Sequence, residues 1–193
     1  MTEAIEVRSL LPKVFSGMED TEKIRSSQIW GEQSFVIRRG CRICIQAESG
    51  SGKSSLLSFI FGLRNDYNGE ILFDGTDIRT ISVPQWCDIR TSTISLLPQD
   101  MGLFPELTVA QNIELKNNRT GHKSGVQVEE LLERLGIAGK RDVAVGKLSI
   151  GQMQRVALVR AVCQPFDFIF LDEPVSHLDA RNNRIVADIV GEE

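Results

Sequence analysis

Long apolar runs and a strong charge of one sign are both absent from this sequence. No apolar run approaches the roughly 20 residues that a membrane span needs, and the first residues, MTEAIEVRSL, lack the basic and apolar parts of an export signal. The formal net charge of the 193 residues is only −4, and no basic patch of the kind that binds nucleic acid accompanies it. We therefore expect a soluble, unexported protein that has no nucleic-acid partner and reaches a membrane only through another protein.

Cysteine is scarce, and its spacing does not resemble a disulfide framework. The four cysteines, at positions 41, 44, 87 and 163, are scattered through apolar segments, which favours a reducing compartment. Cys41 and Cys44 have the C-x-x-C spacing of a redox or metal-binding pair. They lie in CRICIQA, which is typical of a strand, and residues three apart on a strand point to opposite faces. Ordinary strand cysteines are the favoured interpretation, and a redox or metal pair is the alternative.

Hydrophobic periodicity divides the chain into alternating strands and helices. AIEVRSLLPKVF contains a proline and predicts an edge strand followed by a turn, whereas the polar GMEDTEKIRSSQIW predicts a loop or an irregular hairpin. Further strands are predicted at SFVIRRG, CRICIQA, the hairpin GEILFDGTDI, TISLLPQ and FDFIFLD. Helices are predicted at KSSLLSFIFGL, TVAQNIEL, VQVEELLERLGI, GQMQRVALVRAVC and RNNRIVADIVGEE. This order predicts one α/β domain over residues 1–193, with a core in 1–98 and 148–193 and a helical insertion at about 99–147.

The segment AESGSGKSS, residues 47–55, joins a predicted strand to a predicted helix. In the pattern G-x-x-x-x-G-K-[ST], backbone N–H groups and a helix N-terminus hold phosphate oxygens, the lysine reaches the β- and γ-phosphates, and the hydroxyl ligates Mg²⁺. The segment therefore predicts a site for nucleotide phosphates and Mg²⁺, formed by Ser49, Gly50, Ser51, Gly52, Lys53, Ser54 and Ser55. A chance glycine and serine turn is the alternative.

FIFLDEP, residues 168–174, consists of four apolar residues followed by two carboxylates and a proline. In open α/β sheets the ligand site lies at the carboxyl ends of the strands. Asp172 is therefore placed to hold Mg²⁺, and Glu173 is placed to polarise an attacking water. A surface cap would have a similar sequence, so the interpretation depends on the phosphate-binding segment that precedes it.

KLSIGQMQRVALVRA, residues 147–161, resembles the signature motif of the ATP-binding cassette (ABC) ATPases, which is L-S-G-G-Q followed by a basic helix. Three further segments resemble parts of that family, in the family's order along the chain. Gln99 in LLPQD resembles the glutamine of its Q-loop, and SHLD at 176–179 resembles its D-loop. Phe15 in PKVFSG resembles the aromatic residue that stacks on adenine. The resemblance covers nearly the whole chain. It implies a P-loop NTPase core with a parallel central sheet, an N-terminal antiparallel β part and a helical insertion.

The resemblance also implies which residues act on the nucleotide. ABC ATPases pair head to tail, so that each ATP lies between the phosphate loop of one protomer and the signature of the other. The signature residues assigned to the partner's γ-phosphate are Ser149, Gly151 and Gln152. The residues assigned to catalysis are Glu173, Gln99 and Lys53, and those assigned to Mg²⁺ are Ser54, Gln99 and Asp172.

The same resemblance implies a transmembrane partner. The segment DMGLFPELTV would pass the movement of the dimer to it, and Met101, Leu103 and Phe104 suit a groove for one of its helices. Packing of these three side chains on the insertion's own helices is the alternative. The segments HLDARN and TVAQNI are similar to those of cassettes for lipoprotein release, macrolide export and cell division, although import cassettes have much of the same sequence in these segments.

Two glycines of the family pattern are replaced, by Ala47 in the phosphate loop and by Ile150 in the signature. If position 47 needs a positive φ, alanine is strained by about 1 kcal/mol, which would weaken ATP binding without abolishing it. A β-branched residue does not readily adopt a positive φ, so we expect Ile150 to weaken the γ-phosphate contact, while Gly151 keeps the second glycine.

The family's switch histidine is expected beyond residue 193, so that the C-terminal end looks incomplete beside the family pattern. Only His122 and His177 are present. His122 lies in a polar stretch and is expected to be solvated. His177 lies in the D-loop match and is expected to pack or to form a hydrogen bond rather than to replace the switch.

We predict an ATPase subunit that drives an ABC transporter or a related membrane machine through nucleotide-dependent closure of a homodimer or heterodimer. It would lie in the cytoplasm, peripheral on the inner membrane, through one or more transmembrane permease subunits. The alternative is a nucleotide-gated regulatory module with little turnover. A cassette acting in DNA repair or translation is less expected, because the chain has neither a long coiled-coil insertion nor a tandem cassette, and no N-K-x-D sequence indicates a GTPase.

Overall fold

The structure is a computed structural model that describes residues 1–18, 20–31, 33–48 and 50–192. It divides into two compact units, Met1–Arg90 and Thr91–Glu193. The strands are β1 (Ala4–Pro12), β2 (Ser34–Arg38), β3 (Tyr67–Phe73), β4 (Thr76–Asp77), β5 (Ile94–Leu97) and β6 (Phe168–Leu171). The helices are α1 (Glu22–Arg25), α2 (Lys53–Ile60), α3 (Val83–Ser92), α4 (Val109–Thr120), α5 (Gly125–Arg134), α6 (Ile150–Val162) and α7 (Ala180–Glu192). Among these described helices none is both long and apolar enough to cross a membrane.

The first unit is built on a four-stranded antiparallel sheet in the order β2–β1–β3–β4. The tight turn between β3 and β4 holds Asp74 at φ +46 and Gly75 at φ +81, which confirms the predicted hairpin, since both central residues of such a turn need positive φ. Phe59 of α2 contacts Tyr67 of β3 with their ring centroids 5.0 Å apart. The helix that follows the glycine-rich segment therefore packs through Phe59 against a strand of this unit.

β1 lies between β2 and β3, so the prediction of an edge strand is wrong. Pro12 is the last residue of β1, where its missing N–H removes little from the ladder. The strand accommodates a bulge between Arg8 and Leu11, with Ser9 at φ +47. Gly69 faces this bulge, and a Cβ there would lie 2.3 Å from the Ser9 carbonyl oxygen, so only glycine fits opposite it.

Residues 41–48 form neither helix nor strand, so the prediction of a strand at CRICIQA is wrong. A strand needs a neighbour to complete its hydrogen-bond ladder, and apolar alternation along one segment does not show whether a neighbour exists. Cys41 and Cys44 are exposed free thiols. The argument that places them on opposite faces of a strand therefore does not apply.

Two short helices of the first part of the chain differ from the sequence-based expectation. The polar stretch predicted to be a loop or hairpin contains α1, four residues long. The helix α3 was not predicted, because all ten of its side chains are at least partly exposed and a helix without a buried face shows no apolar periodicity.

The helix predicted at TVAQNIEL continues to Thr120 and ends at Gly121, which has φ +60, as expected for a left-handed C-terminal residue.

The second unit contains the parallel pair β5 and β6, with Leu97 opposite Leu171. Its core surrounds α6, whose buried positions include Val156, Leu158 and Val159. α4, α5 and α7 cover this helix with Val109, Ile113, Leu131, Leu132, Val186 and Ile189. The predicted α/β fold, with an antiparallel part near the N-terminus and parallel strands after it, is confirmed. The assignment of 99–147 as an insertion into a core stays a prediction.

Lys116 on α4 places an ammonium group in a half-buried position. Its Nζ donates a hydrogen bond to Oε1 of Gln164, whose Nε2 donates to the Ile94 carbonyl oxygen at 3.0 Å. Burial, assisted by repulsion from Arg160 and Arg119, lowers the pKa of Lys116 to about 8. This lysine therefore links α4 to the end of α6 and to β5.

This pKa predicts that the protein becomes more stable as the pH rises above about 8. Below that pH Lys116 is protonated in both states, whereas between about 8 and the ordinary value of 10.5 the unfolded chain binds more protons than the folded chain. The free energy of unfolding should therefore rise by on the order of 1 kcal/mol per pH unit in this window. Urea denaturation at several pH values should show this rise in the wild type and not in Lys116→Met. Lys140→Met, at an exposed position, is the matched control, and equal slopes in all three proteins would contradict the assignment.

Candidate functional site

The glycine-rich segment forms a loop that leads directly into α2. Gly50 has φ +76, and Gly52, which precedes the helix, has φ +98, conformations that residues with a Cβ rarely adopt. Lys53 is the first residue of α2, and its Nζ donates hydrogen bonds to the carbonyl oxygens of Ala47 at 2.6 Å and Glu48 at 3.0 Å. The loop therefore folds back so that the lysine lies over its first residues, with the helix N-terminus beside it.

Trp30 supports this loop and was not identified from the sequence. Its Nε1 donates a hydrogen bond to the Ser51 carbonyl oxygen at 2.8 Å. A Cβ on Gly52 would lie 2.9 Å from Cζ2 of the indole, so Gly52 is required by the tryptophan as well as by its own φ. Trp30 is buried at 6% exposure. No pattern in the polar stretch that ends in QIW indicated this contact.

The hydroxyl groups of the loop differ in their surroundings. Ser49 lies outside the described residues. The Ser51 hydroxyl is buried and has no hydrogen-bond partner among the described residues. Ser54 is exposed on the first turn of α2, whereas the Ser55 hydroxyl accepts a hydrogen bond from Arg64 at 3.2 Å. Ser51 and Ser54 are therefore the better placed of these for a ligand.

Ala47 and Phe15 are the remaining predicted residues of the first unit. Among the described residues, those other than glycine with positive φ are Ser9, Asp74, Met101 and Glu173. Because Ala47 is not among them, the strain considered for the missing glycine does not arise. Phe15 is half-buried at the end of a 3₁₀ turn that directly follows β1.

The carboxyl ends of β5 and β6 bring Gln99 and the two carboxylates to one edge of the parallel pair. The Asp172 N–H donates to the Leu97 carbonyl oxygen at 2.9 Å, which continues the register one residue past β6. Asp172 is buried at 8% exposure, whereas Gln99 and Glu173 are exposed. The two carboxylates thus follow the carboxyl end of β6, where the sequence places them, and the roles assigned to them stay predictions.

The signature segment begins α6 with a capping box. The Ser149 hydroxyl accepts from the Gln152 N–H at 3.3 Å, and Oε1 of Gln152 accepts from the Ser149 N–H at 3.0 Å. The remaining N–H groups of the first turn have no helical partner and suit an anion. Ile150 is half exposed and does not have a positive φ. Position 150 therefore does not need a positive φ, because it lies in the first turn of an ordinary α-helix, and a weaker γ-phosphate contact caused by Ile150 stays a prediction.

Gly151 is needed for a close contact rather than for its φ. A Cβ there would lie 2.9 Å from the His177 carbonyl oxygen. The predicted D-loop, residues 176–179, therefore passes directly over the first turn of α6. Asp179, the last residue of the D-loop, accepts hydrogen bonds from the backbone N–H of Asn182 at 2.8 Å and from its side-chain amide at 3.0 Å. The bond from the backbone N–H is the main cause of the lowered pKa of Asp179.

The two histidines differ in their surroundings. His177 Nδ1 lies 3.0 Å from the Ser176 hydroxyl, as expected for a hydrogen-bonding role. His122 is exposed.

Arg160 of α6 holds the segment after Gln99 and was not identified from the sequence. Its guanidinium donates to the carbonyl oxygens of Met101 and Gly102, each at 2.7 Å. Met101 and Leu103 pack on the core of the second unit, whereas Phe104 is 51% exposed. Two of the three side chains suggested for a groove are thus packed on the unit's own helices. A shallow concavity of about 440 Å³ lies nearby on α4, lined by Leu107, Gln111, Glu114, Leu115 and Asn118.

Comparisons with known proteins agree with these motifs. Residues 31–176 match the family model described as ABC transporter. The ABC transporter ATP-binding protein YbbA of Escherichia coli strain K12 is 31% identical over 189 residues, which cover 96% of this chain and 80% of that protein. The lipoprotein-releasing system ATP-binding protein LolD of Buchnera aphidicola is 33% identical over 162 residues, covering 82% of this chain and 71% of that protein.

Two further matches involve longer proteins. The sulfate/thiosulfate import ATP-binding protein CysA 2 of Chromobacterium violaceum is 39% identical over 154 residues, which cover 78% of this chain and 40% of that protein. A bacterial Atm1-family ABC exporter with ATP bound has a similar solved structure, with a TM-score of 0.75 and 23% sequence identity. The match covers 98% of this chain and 32% of the exporter chain, so that the present chain spans about a third of that protein. At this identity the exporter shows the fold alone.

Proposed function

Since this chain belongs to the ABC transporter family and is an ATP-binding subunit with ATPase activity, we propose that it drives a transmembrane partner by closing a dimer on Mg²⁺ and ATP. The observation that carries this proposal is the pair of helix N-termini at the two motifs. The phosphate loop ends at α2 with Lys53, and the signature begins α6 with Ser149. Both ends present unpaired N–H groups, which hold phosphate oxygens.

The phosphate loop supports a role in holding the β- and γ-phosphates of ATP. Its two left-handed glycines, Gly50 and Gly52, leave the backbone open to close approach. The Ser51 hydroxyl is an additional polar atom without a partner among the described residues. Lys53 has three N–H donors, and the carbonyl oxygens of Ala47 and Glu48 take two of them, so a third is available for phosphate. Phe15 is assigned to the adenine ring.

The metal assignment rests on the kind of donor that each residue supplies. Mg²⁺ prefers oxygen ligands such as carboxylate, hydroxyl and amide oxygens. Asp172 supplies a carboxylate, Ser54 a hydroxyl and Gln99 an amide oxygen. Asp172 is largely buried, and a carboxylate in such a place is stabilised by a cation. When bound, Mg²⁺ neutralises charge on the phosphate oxygens during phosphoryl transfer. Glu173 would accept a proton from the attacking water, and Gln99 would help to orient that water.

The signature residues are assigned to the ATP held by the other protomer. Ser149, Gly151 and Gln152 form the first turn of α6 and its cap. In a head-to-tail dimer this turn would face the γ-phosphate, so that both protomers are required to enclose each ATP. Loss of the γ-phosphate on hydrolysis would remove the group that both protomers bind, and the dimer would open.

The partner is proposed to be one or more transmembrane permease subunits, with this chain peripheral on the cytoplasmic side of the inner membrane. The relatives named above are the ATP-binding proteins of transport and lipoprotein-release systems. Exposed Phe104 and the concavity on α4 support a contact with the partner on this side of the second unit. Selectivity for what is moved would then reside in the partner.

The head-to-tail arrangement can be tested by mixing two inactive variants. Lys53→Ala damages the phosphate loop, and Ser149→Glu places a negative charge at the signature; each is made in a Glu173→Gln background so that closed dimers persist. Neither variant alone should dimerise with Mg²⁺ and ATP. A mixture should dimerise, because a heterodimer retains one complete site, formed by the loop of one protomer and the signature of the other.

The readout for this mixture is sedimentation velocity with and without ATP. ADP serves as the control nucleotide, because it lacks the γ-phosphate that both protomers bind. A mixture that remains as monomeric as the separate variants would overturn the head-to-tail assignment.

A further inference from the structure

Gln154 is a buried amide side chain that no part of the proposed mechanism uses. It lies on α6, five residues after Ser149, and is only 3% exposed. A buried carboxamide must find partners for both its nitrogen and its oxygen, since an unpaired buried polar group is destabilising. Its partners therefore show what this residue holds in place.

The three partners of Gln154 among the described residues lie in the segment that starts with the catalytic carboxylate. Its Nε2 donates to the Glu173 carbonyl oxygen at 2.7 Å and to the Ser176 hydroxyl at 3.2 Å, and its Oε1 accepts from the His177 N–H at 3.1 Å. One side chain thus spans both ends of residues 173–177. These bonds reach from the signature helix to the turn that carries Glu173.

The backbone at Glu173 requires such support. Glu173 has φ +51, a left-handed conformation that disfavours a residue with a Cβ. A residue in this conformation persists only where its surroundings hold it. The bond from Gln154 to the Glu173 carbonyl oxygen acts on the strained peptide itself, and it thereby sets the direction in which the Glu173 side chain leaves the backbone.

Two further contacts join the same segment to the first turns of α6. Gly151 allows the His177 carbonyl oxygen to approach so closely that a Cβ would lie 2.9 Å from it. Arg155 donates to the Gly151 carbonyl oxygen at 3.2 Å and to Oδ1 of Asn182 on α7 at 3.3 Å. The signature turn, residues 173–177 and the start of α7 are therefore connected by side chains on successive turns of one helix.

We propose that Gln154 is a positioning residue that fixes Glu173 relative to the signature turn of the same protomer. The inference rests on the proposed function, in which Glu173 acts on the protomer's own ATP and Ser149 on the partner's ATP. Gln154 then couples the two ATP sites of the dimer. When α6 shifts as its signature turn binds or releases the partner's ATP, the Glu173 backbone moves with it. It touches neither nucleotide itself.

Gln154→Leu tests this role, with Gln164→Leu as the matched control. Gln164 is also a buried amide, two residues beyond the end of the same helix, at 1% exposure; it donates to the Ile94 carbonyl oxygen and accepts from Nζ of Lys116. We expect Gln154→Leu to lower kcat by about tenfold to a hundredfold relative to the control, as a misplaced catalytic group does. The affinity for a fluorescent ATP analogue should stay within about twofold, since the phosphate loop is not altered.

A second readout does not depend on turnover or on bound nucleotide. Hydrogen exchange of the peptide covering residues 173–178, measured on the full chain without nucleotide, should become at least about tenfold faster in Gln154→Leu, because the His177 N–H loses its acceptor. In the Gln164→Leu control the protection of this peptide should remain at the wild-type level.

Gln154→Glu adds a test that distinguishes positioning from packing. A protonated carboxyl group can donate to the Glu173 carbonyl oxygen and accept from the His177 N–H, as the amide does, whereas the carboxylate cannot donate. Once ionised, the carboxylate repels the Glu173 carbonyl oxygen that it faces, so the protection factor of the peptide should fall as the pH rises from about 5.5 to about 8, since burial raises the pKa of a carboxyl group. The Gln154→Leu profile over the same range supplies the background from other titrating groups.

The outcomes separate this inference from the proposed function. If Glu173→Gln keeps full turnover, the catalytic role that the proposed function gives to Glu173 fails, and the base is another group. If Glu173→Gln is inactive but Gln154→Leu matches Gln164→Leu in both kcat and exchange, the positioning role is overturned while the proposed function stands. A pH-independent exchange profile for Gln154→Glu would likewise overturn it.

Discussion

Replacing Glu173 with Gln is expected to abolish ATP turnover while leaving ATP binding intact. The amide has the shape of the carboxylate but cannot accept the proton of the attacking water, and a general base contributes about a hundredfold or more to such a step. Glu173 is exposed at the end of β6, so the replacement removes no buried contact. Steady-state phosphate release should fall by at least about a hundredfold, and calorimetric titration with Mg²⁺ and ATP should give an affinity close to that of the wild type.

The control for this experiment is Glu133→Gln, which makes the same chemical change at an exposed position on α5. It should turn over ATP at the wild-type rate. Turnover by Glu173→Gln above about a tenth of the wild-type rate would assign the base to another group. A wild type that binds ATP yet releases no more phosphate than Glu173→Gln would instead favour the nucleotide-gated regulatory module.

Replacing Lys53 with Ala is expected to remove most of the affinity for ATP. The ammonium makes charge-assisted hydrogen bonds, each worth about 1.5–3 kcal/mol, so the dissociation constant should rise by about tenfold to more than a hundredfold. The variant also loses the bonds from Nζ to the carbonyl oxygens of Ala47 and Glu48, which shape the loop before any nucleotide binds. Both losses act in the same direction.

Two companion variants separate these contributions. Lys53→Met keeps the length of the side chain without its charge and should bind ATP as weakly as Lys53→Ala if the charge dominates. Lys140→Ala removes an exposed lysine far along the chain and should bind as the wild type does. Calorimetric titration with Mg²⁺ and ATP supplies the dissociation constants, and an affinity of Lys53→Ala within about threefold of the wild type would refute the phosphate-binding role of this lysine.

The elements that could be predicted from the sequence are those set by neighbours along the chain. α2 follows its glycine-rich segment directly, and α6 is capped by Ser149 and Gln152 three residues apart. Such loops and capping boxes depend on contacts within a few residues, so their sequence pattern is sufficient. The parallel strands β5 and β6 could also be predicted, because short apolar runs between turns are typical of buried strands.

The elements that were missed or wrong depend on contacts between distant parts of the chain. The position of β1 inside its sheet depends on β2 and β3, and the absence of a strand at 41–48 depends on whether a neighbour is available. Ile150 and Ala47 occupy positions where the family has glycine, yet neither adopts a positive φ. The backbone conformation at each position, rather than the family pattern, decides whether a side chain is strained there.

The sequence by itself determined the family and its ATP-binding function and assigned residues to that function, because phosphate binding uses backbone N–H groups at helix starts that short motifs specify. Only the tertiary structure decided what holds those residues in place. Trp30 lies beside the phosphate loop, Arg160 on the segment after Gln99, and Gln154 on the Glu173 backbone. Each of these contacts joins residues at least 19 positions apart. A hydrogen bond over such a separation depends on the packing of whole helices and strands, which no local pattern encodes.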